Sequence, residues 1–146
     1  MENGRRPLLS VRDLKTYFSS DEGTTKAVDG ATFVVHEGKT LGIVGESGCG
    51  KSVCARSILR IVERPGQIVG GEIILRRGLG DGREEEIDLT KLDPDGKEMR
   101  YIRGADIALV FQEPMTSFSP VHTIGDQMVE TLRLHSKMSK KEARER

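Results

Sequence analysis

The stretch GESGCGKS, Gly45 to Ser52, follows the apolar run LGIV and precedes a segment with helical periodicity. No other feature constrains the chain as tightly. It fits G-x-x-x-x-G-K-[ST], in which a loop turns its backbone N–H groups inward to cradle phosphates at a helix N-terminus. Glycine serves where φ is positive or where the backbone must approach a ligand closely. Gly45, Glu46, Ser47, Gly48, Cys49, Gly50 and Val53 are therefore expected to form the cradle with Lys51 and Ser52. Lys51 is expected to reach the β- and γ-phosphates, and Ser52 to ligate Mg²⁺. The glycines are spaced G-x-x-G-x-G, which disfavours the dinucleotide fingerprint G-x-G-x-x-G.

Composition narrows the setting. The 146 residues suit one core of ordinary domain size or a piece of something larger. The 23 Lys+Arg balance 23 Asp+Glu, so no long-range field marks nucleic acid as a partner, and the anion site must be local. The wholly apolar runs, such as IALVF at 107–111, fall far short of the roughly 20 residues needed to cross a bilayer. No signal core follows the arginines of MENGRRPLL, which points to a soluble chain facing the cytosol. Cys49 and Cys54 lie in the glycine loop and the helix after it, a spacing suited to reduced thiols rather than a metal clip or a disulfide.

Periodicity predicts strands over 8–18 and 26–35, a short buried strand at 40–44, and an amphipathic helix through Val62 ended by Pro65-Gly66. A hairpin follows, with GGEIILRR and EEEIDLT flanking GLGDG. KEMRYIRG reads as a short helical turn, and ADIALVF as a second buried strand. Thr123 with Asp126 announces a helix through Leu134, and Ser139 with Glu142 announces another. That last helix is too short to be stable without tertiary packing, so the chain reads as truncated. The expected fold is α/β: a P-loop NTPase core carrying an antiparallel β subdomain, with the start of a helical subdomain. The expected division is 1–121 for the β subdomain and core, and 122–146 for the helical start.

Taken together, LKTYF, KAVDGATFVVHEGKTLGIVGESGCGKS and IALVFQEPMTSFSPVHTIGDQM resemble the ATP-binding subunits of ABC transporters. The resemblance runs from about Leu8 and is nearest to the oligopeptide/dipeptide permease group, which includes nickel importers. It implies that Phe18, or its neighbour Tyr17, stacks on adenine; an aromatic face suits a flat base, although core packing would also explain an aromatic there. It implies that Val28 packs beside the nucleotide, where plain strand core is the alternative. Gln112 matches the glutamine that ligates Mg²⁺ and approaches the attacking water, and an amide both donates and accepts as that role requires. Residues 113–125 would couple to the membrane subunits.

The same resemblance implies ATP and Mg²⁺ as cofactors, and a second ABC ATPase subunit and transmembrane permease subunits as partners. An extracytoplasmic solute-binding protein would take part indirectly, and nucleic acid would not. The place would be the cytoplasmic face of the membrane, and the activity ATP hydrolysis driving uptake of di- or oligopeptides. Phe118-Ser119-Pro120 departs from the common LNP. More consequential, the 146 residues contain no LSGGQ-like signature, no apolar strand ending in Asp-Glu and no switch histidine in context; His36, His122 and His135 read as surface residues. A non-catalytic nucleotide-binding fragment and a soluble ABC-type ATPase outside transport are the alternatives. The second would be expected to carry a basic surface or a long insertion.

Overall fold

The computed structural model describes residues 6–79, 82–111, 118–136 and 138–146. Two compact units divide it, Met1–Ile107 and Ala108–Arg146.

The first unit is built on a four-stranded antiparallel sheet in the order β2-β1-β3-β4. Its strands are β1 (Pro7–Ser20), β2 (Gly23–His36), β3 (Gly66–Gly78) and β4 (Glu84–Asp88). In β1 the apolar alternation slips at VRDL, and the structure shows why. The registers against both neighbours jump there, from Val11↔Phe33 to Leu14↔Ala31 and from Arg12↔Glu72 to Lys15↔Gly70. Asp13 takes a φ of 45°, and Gly71 opposite takes 90°. A Cβ on Gly71 would lie 2.5 Å from the Asp13 carbonyl oxygen, so glycine is what lets the bulge close. One extra residue thereby returns Leu14 and Thr16 to the face already occupied by Val11.

That face carries the core. Val11, Leu14, Val28, Ile73 and Leu75 meet Cys54 of α1 (Lys51–Ile58) and Met99 and Ile102 of α2 (Lys97–Ala105). Burial pushes the Cys54 thiol pKa up. Arg103 fastens the two helices, donating to the carbonyls of Leu59 (3.1 Å) and Pro94 (2.8 Å). Arg77 ties β3 to β4 and α2 by ion pairs to Glu85 (2.6 Å), Glu98 (3.1 Å) and Asp106 (3.3 Å). Asp88 ends β4 and starts a single 3-10 turn, Leu89–Lys91, by accepting from the Thr90 amide.

The second unit holds α3 (Ile124–His135) and α4 (Lys140–Glu145). Both start where the sequence puts them. Thr123 Oγ1 accepts from the Asp126 amide at 3.1 Å, and Ser139 with Glu142 forms a complete capping box. Packing supplies what so short a helix lacks: Ala143 and Val129 are buried, and Arg144 reaches Asp126 of α3 at 3.2 Å.

Three expectations are corrected. Residues 40–44 form no strand, and Ile43 and Val44 are 50% and 96% exposed. Residues 105–111 likewise show no strand, with Val110 90% exposed. Continuous apolar runs are the pattern of parallel strands covered on both faces, and among the described residues neither run has a neighbour in the sheet. The helix after the glycine loop ends at Ile58, not Val62. Arg60 takes a left-handed φ of 57° while Ile61 N–H bonds Arg56 O and Arg60 N–H bonds Ser57 O, each at 3.0 Å. This is the helix-terminating pattern usually built on glycine, and an arginine in that place leaves no signal to read.

Candidate functional site

Between β2 and α1 the chain makes its glycine loop, and every turn of it depends on residues without bulk. Gly48 and Gly50 have φ of 80° and 91°. A Cβ on Gly45 would fall 2.6 Å from Cys49 Sγ. Gly50 is the helix N-cap and offers no side-chain hydrogen bond to the first turn, which holds no acidic residue. The N–H groups of that turn are therefore left for an external acceptor, with the positive end of the helix dipole behind them.

Lys51 folds back over this cradle. Its Nζ donates to the carbonyls of Gly45 and Glu46, both at 2.7 Å, and approaches Cys49 Sγ at 3.4 Å. The ammonium is held by the loop's own carbonyls. Ser52 is exposed and Val53 half-buried on the same turn. A phosphate chain suits this arrangement: open amides, one fixed cation and no competing carboxylate in the first helical turn. Among the described residues no three His, Cys, Asp or Glu side chains gather to hold a metal ion.

Val28 is brought to the loop. It is buried, and its Cγ2 would lie 3.5 Å from a Cβ on Gly50. A cavity of about 480 Å³ opens beside it, bordered by Phe33, Ile43, Gly50, Lys51 and Cys54. Phe18 and Tyr17 do not line that cavity. Tyr17 lies on the far face of β1, donating to Asp29 Oδ1 at 2.6 Å with the Lys26 ammonium 5.3 Å over its ring. The Asp29 hydrogen bond raises the phenol pKa. Phe18 lies half-buried against Gly66 and Val62, on the face shared with Leu14 and Thr16. Gln112 lies outside the described residues.

Sequence reasoning overlooked Ala27. A Cβ on Gly50 would lie 2.1 Å from the Ala27 carbonyl oxygen, so the strand before Val28 abuts the end of the loop. No side-chain pattern marks a carbonyl contact.

A sequence model of the family described as ABC transporter matches residues 28–146, four fifths of the chain, with Val28 and the whole glycine loop inside the match. The chain belongs to the ABC transporter family. Among its curated relatives, a probable peptide ABC transporter ATP-binding protein of Sinorhizobium fredii is 47% identical over 95% of this chain and 38% of its own length. The dipeptide transport ATP-binding protein of Bacillus subtilis is 44% identical over 94% of this chain and 38% of its own. This member of the family thus spans about two fifths of the length of these relatives. Among solved structures, the dimeric ABC transporter cassette MJ0796 overlays 94% of this chain and 53% of its own with a TM-score of 0.72 at 24% identity. At that identity the likeness establishes the ABC cassette fold alone.

Proposed function

We propose that these residues are the nucleotide-binding part of an ATP-binding subunit of an ABC importer for di- or oligopeptides or a similar solute. The observation that carries the reading is the uncapped start of α1 with Lys51 Nζ held over the loop that leads into it. The names of the relatives support the solute class: peptide in one, dipeptide in another. In this reading the cradle amides and Lys51 hold the triphosphate, Ser52 and Gln112 hold Mg²⁺, and Val28 and Phe18 flank the nucleoside. Gln112 also positions the attacking water, and residues 113–125 carry closure to the permease.

Binding belongs to these residues, and turnover needs more. The chain contains neither an LSGGQ-like signature nor an apolar strand ending in Asp-Glu, so nothing in it polarises the water from the far side. Hydrolysis is expected of a polypeptide that carries those segments, paired with a second ATPase subunit on the cytoplasmic face of the membrane. Among the described residues no helix is long and apolar enough to cross a membrane, and attachment through permease subunits meets that condition.

Lys51→Ala in the full natural polypeptide tests the site. The loop keeps its glycines, so the fold survives, while ATP binding and transport collapse. Wild-type ATP affinity in that variant would overturn the assignment.

A further inference from the structure

Inside an otherwise apolar core, Thr16 of β1 and Ser57 of α1 are both fully buried and face each other, Oγ1 to Oγ, at 2.8 Å. We infer that this hydroxyl pair is a positioning device that fixes the spacing between the base side and the phosphate side of the nucleotide site; the inference rests on the nucleotide reading above.

The proton order follows from the partners. Ser57 Oγ also lies 2.7 Å from Val53 O, a carbonyl that only accepts. Ser57 spends its single proton there, so Thr16 must donate to Ser57. The relay leads from the middle of β1 to the first turn of α1, ending one residue past Ser52. On the strand side, Thr16 stands in register with Val28, the residue packed against Gly50. Two residues along β1, about 7 Å, Phe18 lies on the same face, its ring against Gly66 and Val62.

Stability alone does not call for such a pair. Replacing both partners of a buried hydrogen bond by apolar groups of similar shape is often neutral, whereas apolar contact is non-directional and lets a strand slide along a helix. A hydrogen bond sets distance and direction. Thr16 and Ser57 touch no part of the cradle's open side, so they act through Phe18 and Val28 on one side and through the Ser52 turn on the other.

The test compares ATP with tripolyphosphate, which has the phosphates and no base. Both dissociation constants are measured by titration calorimetry with Mg²⁺ on the full natural polypeptide, with the unfolding midpoint recorded in parallel. Thr16→Val is expected to weaken ATP by about fivefold, the scale of one net hydrogen bond, while tripolyphosphate stays within about twofold of wild type. Thr16→Ser restores ATP affinity. The double variant Thr16→Val/Ser57→Ala, which leaves no unpaired hydroxyl, behaves as Thr16→Val and decides the matter if the single variant fails to fold. Equal weakening of ATP and tripolyphosphate, or unchanged ATP affinity, would overturn the positioning role and leave the nucleotide reading standing. Wild-type protein that binds neither ligand would overturn that reading and the positioning role with it.

Discussion

Gly50 and Ala27 stand so close that a Cβ on the glycine would lie 2.1 Å from the alanine's carbonyl oxygen, and Gly50 has a φ of 91° besides. Gly48, with φ of 80°, faces open space. Gly50→Ala must therefore shift the loop as well as strain it, a combined cost of about 1–3 kcal/mol or more. ATP affinity is expected to fall by about tenfold or more in Gly50→Ala and by less in Gly48→Ala. Titration calorimetry on the two variants checks the order, and equal losses would contradict the Ala27 contact.

Cys49 is an exposed thiol 3.4 Å from Lys51 Nζ. A maleimide adduct there would fill the space the phosphates need, so labelling should abolish ATP binding. ATP should in turn shield the thiol: at about a hundred times its dissociation constant, labelling slows by roughly a hundredfold. Mass spectrometry of the Cys49 peptide reads the rate, and identical labelling with and without ATP would place the thiol outside the cradle.

Gln112 is expected to separate binding from turnover. If the cradle and Lys51 hold the triphosphate as proposed, Gln112→Ala in the assembled transporter should bind a fluorescent ATP analogue much as wild type does. Its solute-stimulated hydrolysis should fall by about tenfold or more, the scale of a lost positioning contact. Unaltered stimulated hydrolysis would remove Gln112 from the mechanism.

The two helix caps of the second unit make it acid-sensitive. A hydrogen bond from Thr123, with Arg144 adding to it, lowers the Asp126 pKa, and hydrogen bonds from the Ser139 side chain and amide lower that of Glu142. A depressed folded-state pKa means stabilisation that is present at neutral pH and lost as pH falls through the folded value. Amide protection in α4 is expected to decline below the ordinary carboxylate range. Glu142→Gln keeps an acceptor for the cap and should flatten that dependence; a profile as steep as wild type would assign the effect elsewhere.

What the sequence made legible was local. The glycine loop, the Thr123 and Ser139 caps and the β3-β4 pairing each announce themselves within a few residues, and the structure has them where expected. Pairing between distant segments is not written in any one of them. The runs 40–44 and 107–111 have strand composition, yet a strand exists only with a neighbour. Arg60 ends α1 in a conformation that a glycine would have signalled. Which of Tyr17 and Phe18 shares the face of Leu14 and Thr16 turns on the parity of β1, which depends on where the bulge falls. Lys51 stands out within the motif, but its contacts to the Gly45 and Glu46 carbonyls involve no side chain a pattern could register.

The bulge at Asp13 divides β1 into two stretches that obey opposite rules of counting. Deleting Arg12 or Asp13 would remove the bulge and leave the strand's inner face as it is. Val11, Leu14 and Thr16 would then follow the plain two-residue period, whereas losing one residue beyond Leu14 would turn the inner side chains past that point outward. Chain length along this central strand is therefore forgiving at the bulge and locked beyond it. Between Leu14 and Phe18 an insertion or deletion would have to come in pairs to keep Phe18 on the face of Leu14 and Thr16.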